Sequence, residues 1–460
     1  MFLIYSLLFT VGLLLAAPYY LWRLRGNLTR GAGWRERFGF LPQSFEDHAG
    51  RATGSIWIHA VSVGETLAVT GLVQELKRRH PERRILMSHV TPAGRQAGDG
   101  RLPAALAAST DGGNTTAPAA PVVAGRFFLP LDWAWSTRRV VARIHPALLV
   151  IVETELWPNL LRSAHRFGAR VVLVNARLSD QSFRGYRLAR PFMRRVLENV
   201  DGVCAQTPAD AERFELLGSP AGRVVITGNI KFDGRAPERG ALPCMLEKAL
   251  GAAPRAPIIV AGSTMAGEEE MVLDAWRDIR RSHPQGLLIL APRHPARFEY
   301  VAQLLARSGL RPGVDFVRRT ALATGDEELA HQMESPEILL LDTIGELAGV
   351  FELADVAFVG GSLVAAGGHN VLEPAFWAKP ILFGPHMENF RDIARLFLEA
   401  GAAIQVESAA DLARQALRVL ADHDLATRLG QAARRVLDAE SGATLRVLDR
   451  LDEELSRAGL

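Results

Sequence analysis

From Ser55 onward, short apolar runs of strand length alternate with amphipathic helical stretches, and the series occurs twice. The first set lies at 55–60, 84–90, 147–152, 170–175, 201–206 and 223–227. The second lies at 257–261, 287–291, 337–342, 355–360, 379–384 and 402–406. Runs that are apolar throughout, rather than every second residue, belong to strands buried on both faces, as in parallel sheets. Each set of six predicts one doubly wound α/β domain. The expected division is an anchor at 1–22, a first Rossmann-like domain at 23–235, a linker at 236–256, a second Rossmann-like domain at 257–425 and C-terminal helices at 426–460. The linker expectation rests on its Gly and Pro punctuation, which ends in Ala-Pro-Arg-Ala-Pro. Two such domains facing each other create a cleft where the carboxyl ends of their strands meet. Two segments break the rhythm. Residues 98–125, rich in Ala, Gly, Thr and Pro, predict a surface loop, and 312–336 predict an irregular connection.

The N-terminus is of another kind. Met1 to Trp22 carries no Lys, Arg, Asp or Glu. As a helix rising about 1.5 Å per residue it is long enough for a hydrocarbon core of about 30 Å. Tyr19, Tyr20 and Trp22 predict an interfacial belt, and Arg23, Arg25, Arg30, Arg35 and Arg37 follow it. That order predicts a single N-terminal membrane anchor with the rest of the chain on the cytoplasmic side. No positive charge precedes the apolar stretch, unlike a cleaved signal peptide. Pro18 keeps open a segment lying in the membrane surface instead of crossing it. Elsewhere 53 Lys and Arg against 50 Asp and Glu leave +3, which points neither toward nor away from nucleic acid, and no nucleic-acid partner is expected. Cys204 and Cys244 have no ligand spacing, and neither do His59, His89, His294, His369 and His386. No metal site and no cofactor are expected.

Chemistry is sought at the carboxyl ends of the expected strands. Gly367-Gly368-His369-Asn370-Val371-Leu372-Glu373 follows the run 355–360. Glycines between a strand and a helix start let backbone N–H groups approach a phosphate. Glu373, three residues after a candidate N-cap at Asn370, can accept from both vicinal hydroxyls of a ribose. Glu65 closes the string Trp57 to Glu65, where Ser62 and Glu65 match a capping box; the same carboxylate suits a general base. Glu153 and Glu155 end another strand, and there they either act on a ligand or favour the dipole of the next helix. Lys231 follows a strand and either neutralises phosphate charge or is an ordinary surface lysine. Pro292-Arg293 ends a strand, with Arg293 reading phosphate or a base carbonyl, or paired with an acid. Thr343, Ile344, Gly345 and Glu346 end another, and Thr343 with Glu346 again match a capping box. Ala261 to Glu270 opens the second domain without G-x-G-x-x-G, which disfavours a dinucleotide.

Taken together, these strings resemble the 3-deoxy-D-manno-octulosonic acid (Kdo) transferase family. The resemblance runs through Arg-Glu-Arg-Phe-Gly-Phe (35–40), His-Ala-Val-Ser-Val-Gly-Glu-Thr (59–66) and Glu-Thr-Glu-Leu-Trp-Pro-Asn (153–159). It continues in Asn-Ala-Arg-Leu-Ser (175–179), Thr-Gly-Asn-Ile-Lys-Phe-Asp (227–233), Pro-Arg-His-Pro (292–295) and Gly-Glu-Leu (345–347). It ends with Gly-Gly-His-Asn-Val-Leu-Glu-Pro (367–374) and Phe-Gly-Pro-His (383–386). It implies a GT-B fold and an inverting glycosyltransferase acting in lipopolysaccharide core biosynthesis. The implied donor is CMP-Kdo, and the implied acceptor is lipid IVA at the inner membrane. It also implies Glu65 as general base, with Glu153 and Lys231 stabilising the transition state. Pro292, Arg293, Ile344, Gly345, Glu346, Asn370, Val371, Leu372 and Glu373 would then bind CMP. The backbone amides near Gly367 and Gly368 are expected to help with the leaving phosphate. Two departures stand out: Met265 occupies a position where the family often has His, and the segment 98–125 is long. Two other readings remain at this point: a membrane-associated GT-B enzyme using a UDP-sugar, and a non-catalytic membrane-tethered nucleotide-binding module.

Overall fold

The computed structural model describes residues 1–23, 33–42, 45, 54–102, 122–234, 240–252, 256–323 and 325–458. The chain forms two compact units, one from Met1–Gly234 with Glu440–Leu460 and one from Arg235–Ala439.

The first unit is built on seven parallel strands: β1 (Ser55–His59), β2 (Ile85–His89), β3 (Gly125–Phe128), β4 (Pro146–Val152), β5 (Arg170–Ala176), β6 (Gly202–Ala205) and β7 (Val224–Ile226). Their order is β3-β2-β1-β4-β5-β6-β7, so the winding reverses between β1 and β4. Strand side chains alternate between two cores. Trp57, Leu149, Ile151 and Leu173 enter one, and Ile56, Ile58, Leu148, Val150 and Val172 enter the other. Both faces are covered, which is why the strands read as unbroken apolar runs.

The second face is closed by a helix from the far end of the chain, Ala443–Arg457, through Val447, Leu448, Leu451 and Leu455. The expected grouping of 426–460 as one helical tail is therefore corrected. The helix His423–Glu440 lies almost wholly in the second unit, and the last helix belongs to the first. Its apolar stripe at i, i+1, i+4 and i+8 needs a sheet to cover, and the first unit supplies it.

The N-terminal helix Phe2–Arg23 packs on this unit with one side. Tyr5 stacks on Phe192 with ring centroids 5.7 Å apart, and Phe9 meets Trp133 edge-on at 6.2 Å. The Trp133 indole donates to Thr10 Oγ1 at 2.9 Å, and the Asn159 amide donates to Ser6 Oγ at 2.9 Å. The other side leaves Leu3, Ile4, Leu7, Leu8, Leu14 and Leu15 exposed. Among the described residues no helix is long and apolar enough to cross a membrane. The expected spanning anchor is replaced by a two-sided helix, because Tyr5, Ser6, Phe9 and Thr10 are engaged with the protein. Arg25 and Arg30 lie outside the described residues.

The second unit repeats the plan with β8 (Ile258–Thr264), β9 (Leu287–Pro292), β10 (Phe316–Arg318), β11 (Ile338–Leu340), β12 (Val356–Val359), β13 (Ile381–Phe383) and β14 (Ile404–Gln405). The order β10-β11-β9-β8-β12-β13-β14 places its reversal between β8 and β12. Within the expected linker lies a helix, Ala241–Ala252, whose Leu242, Leu246, Ala249 and Leu250 are buried in this unit's core. Pro243 falls in its first turn, where no intrahelical N–H bond is lost.

Candidate functional site

In the first unit the expected residues gather around the reversal point. β1 and β4 are paired there, with His59 opposite Ile151. Glu65 follows β1 and Glu153 follows β4. Ser62 caps the helix Val63–Ala68, its hydroxyl accepting from the Glu65 N–H at 3.3 Å. The Glu65 carboxylate turns back to accept from the Val61 N–H at 2.7 Å and from the Ser62 hydroxyl at 2.9 Å. The capping geometry is thus real, but the group stays partly exposed. Burial raises the Glu65 pKa, and the Glu153 charge adds to the rise. The two hydrogen bonds and Lys231 oppose it.

Glu153 adopts φ +60°, a left-handed conformation that non-glycine residues rarely hold without support. The support comes from two cations. Lys231 Nζ lies 3.0 Å from Glu153 Oε1, and Arg177 Nε lies 3.5 Å from Oε2. Lys231 is distant in sequence, and asparagines place it. Asn175, at the end of β5 with φ +54°, accepts from the Ile230 N–H at 3.1 Å, and Asn229 accepts from the Lys231 N–H at 3.0 Å. Asp233 then accepts from the Gly442 and Thr444 N–H groups at the start of the last helix. Lys231 is therefore no ordinary surface lysine. Glu155 joins the cluster electrostatically. Burial first, then Glu65 and Glu153, push its pKa up to about 7.

In the second unit, Pro292 is the buried last residue of β9. The next residue, Arg293, is exposed and donates its backbone N–H to Thr264 O at 2.9 Å. The charges of Arg293 and His294 reach His369 and, together with burial as the main cause, lower its pKa to about 4. Ile344 is 66% exposed beside Gly345, which takes φ +93° after β11. Glu346 is held by a two-pronged contact from Arg319 at 2.9 to 3.2 Å and accepts from the Thr343 hydroxyl. Arg319 was not among the sequence-derived candidates, because its only local signal is an Arg-Arg pair at the end of an edge strand. Asn370 accepts from the Leu372 N–H at 3.1 Å and donates to Glu373 at 3.3 Å. The helix itself is Leu372–Phe376 with Val371 at its cap, so Asn370, the expected cap, sits one residue before the observed one.

The glycine pair 367–368 requires a correction. A Cβ on Gly367 would lie 2.3 Å from the Asn389 side chain, and one on Gly368 would lie 2.3 Å from Met387 Sδ. Both have positive φ, and the Gly368 N–H already donates to Gly361 O at 2.8 Å. Internal packing accounts for this pair, and the amide of Gly368 is not free for a phosphate.

Comparison with known proteins bears on what these clusters belong to. Residues 32–234 match the family model described as 3-deoxy-D-manno-octulosonic-acid transferase (kdotransferase). The chain is 34% identical over 423 residues to the 3-deoxy-D-manno-octulosonic acid transferase of Haemophilus influenzae, covering 92% of this chain and 91% of that protein. The chain belongs to the Kdo transferase family. It is likewise 34% identical to the Bordetella pertussis transferase over 96% of its own length and 97% of the relative. A solved glycosyltransferase from Rickettsia africae, 12% identical, covers 88% of the chain with a TM-score of 0.51. A Staphylococcus aureus MnaA–UDP structure, 13% identical, covers 88% with a TM-score of 0.52. These two likenesses show the fold, two α/β domains with parallel sheets. In this transferase, Glu65 follows β1, Glu153 follows β4 and Lys231 follows β7.

Proposed function

We propose that this glycosyltransferase moves Kdo from CMP-Kdo to lipid IVA, with inversion at the anomeric carbon. The observation that carries the reading is the Glu65–Glu153–Lys231 cluster at the reversal point of the first sheet. It holds a carboxyl whose proton affinity is raised by burial and tuned by one anion and one cation. Glu65 takes the proton from an acceptor hydroxyl as that oxygen bonds to the anomeric carbon. The bond from that carbon to the CMP phosphate oxygen breaks, and CMP leaves with the electron pair. A base positioned in this way contributes roughly 10²- to 10⁴-fold. Glu153 and Lys231 form the fixed charge pair beside it and stabilise the transition state. In the second unit, Pro292, Arg293, Ile344, Gly345, Glu346, Asn370, Val371, Leu372 and Glu373 form the CMP site. Arg293 contributes the phosphate contact, the exposed Ile344 an apolar face for the base, and Glu373 an acceptor for ribose hydroxyls.

The N-terminal helix is read as lying in the surface of the inner membrane on its cytoplasmic side. Its exposed leucines enter the lipid while Tyr5, Ser6, Phe9 and Thr10 stay on the protein. Mass spectrometry of the product from CMP-Kdo and lipid IVA tests the assignment. The expected product is Kdo-bearing lipid IVA. Glu65→Ala is expected to lower turnover by about 10²-fold or more while leaving CMP affinity unchanged. Near-normal turnover in that variant removes Glu65 from the base role.

A further inference from the structure

In a doubly wound sheet, a nucleotide's phosphates go to the crevice where the strand order reverses. In the second unit that point lies between β8 and β12, and the turn after β12 offers three successive backbone N–H groups. Gly361 at φ +69° turns them toward a common centre, as in an anion-binding nest. The nest is already filled. Glu268, fully buried at the start of the helix Glu268–Ser282, accepts from the Gly361 N–H at 2.6 Å, the Ser362 N–H at 3.0 Å and the Leu363 N–H at 2.9 Å. The Met265 N–H adds a fourth donor at 3.1 Å. The fit depends on Gly360, where a Cβ would come within 2.8 Å of Glu268 Oε2. The turn is braced from its other side as well. Ser362 donates to Val359 O and accepts from the Gly384 N–H at 2.8 Å.

We propose that Glu268 is a specificity-determining residue: its carboxylate occupies the phosphate nest of the second unit and so selects nucleoside monophosphate donors against nucleoside diphosphate ones. The inference rests on the CMP-donor reading and adds the reason for it. A single phosphate is served by Arg293 and needs no nest. A second phosphate entering the reversal point would meet a buried negative charge whose four N–H donors are already taken. Discrimination of this kind comes from a repulsive element built against the wrong ligand.

Calorimetric titration of the full chain with CMP, CDP, UMP and UDP separates the two readings. The phosphate number tests the role of Glu268, and the base tests the donor assignment. The wild type is expected to bind each monophosphate at least about tenfold more tightly than the matching diphosphate. Equal or tighter binding of the diphosphates overturns the proposal without any variant. A preference for UMP over CMP, with monophosphates still favoured, overturns the cytidine assignment and leaves Glu268 in its role. Glu268→Ala is expected to melt at a lower temperature and to regain part of that loss in inorganic phosphate, by more than any shift the wild type shows. The same variant is expected to bring CDP affinity up to that of CMP. A phosphate-insensitive melting point together with an unchanged CMP-to-CDP ratio shows that Glu268 is only a structural brace. Leu412→Ala, in the core of the same unit, supplies the control for a lowered melting point and is expected to keep the wild-type ratio.

Discussion

At the scale of single residues, the acids at the first unit's reversal point carry different burdens. Glu155 is the one whose burial, reinforced by Glu65 and Glu153, lifts its pKa to about 7. An acid whose folded pKa lies above its unfolded value near 4.3 favours the folded state while protonated. That contribution is fully present below about pH 4 and is lost as pH rises through about 7. Glu155→Gln cannot ionise, so the variant is expected to gain melting temperature over the wild type at pH 8 and to lose that gain at pH 4. A difference that does not change with pH would show that Glu155 is not the titrating group. The Ser62–Glu65 box was legible in the sequence because it is local, three residues apart. The Lys231–Glu153 pair was legible only as two unrelated strings. The fold closes the gap of 78 residues between them through Asn175, whose positive φ and side-chain bond to Ile230 leave no local pattern.

At the scale of elements, the central strands and the edge strands β7 and β14 were legible, and the opposite edges were not. Strands buried on both faces write continuous apolar runs, whereas β3 and β10 are short edge strands of the sequences Gly-Arg-Phe-Phe and Phe-Val-Arg. Each lies next to or inside a stretch taken as a loop, and one neighbour is enough to form it. The N-terminal helix shows the same limit from the other side. Its composition announced lipid, but the partners of Ser6, Thr10 and Tyr5 lie more than a hundred residues away. The helix therefore has two faces with separable roles. Replacing Leu7, Leu8 and Leu14 together by Gln is expected to weaken binding to anionic phospholipid vesicles by well over tenfold, since each leucine leaving water contributes roughly 1.5–3 kcal/mol. The melting temperature should stay within a degree or two, because these side chains are already exposed. Phe9→Ala should do the reverse, lowering stability through the lost Trp133 contact. Vesicle binding that survives the triple replacement would move the membrane contact elsewhere on the chain.

At the scale of the whole molecule, the chain crosses from the first unit to the second and returns, and the return stabilises the first. The last helix buries Val447, Leu448, Leu451 and Leu455 against β4, β5 and β6, and its N-terminal N–H groups are held by Asp233. Buried Glu454 ties it further, pairing with Arg170 at the start of β5. At about 1.5–3 kcal/mol per buried side chain, the four apolar residues alone contribute roughly 6–12 kcal/mol. That is comparable with the whole stability of a domain, about 5–15 kcal/mol. A fragment ending at Gly234 carries all seven strands of its sheet, yet it is expected to be unfolded or aggregated. Adding a peptide covering 440–460 should restore a cooperative melting transition, and restoration should be weaker with Asp233→Ala, which leaves the helix start uncapped. The fragment 240–439 holds its own sheet, both of its cores and the proposed CMP site, and it is expected to fold without the rest. Circular dichroism melts of the four samples decide the matter. A fragment ending at Gly234 that melts cooperatively by itself would show that the returning helix is an accessory to the first unit and not part of its core.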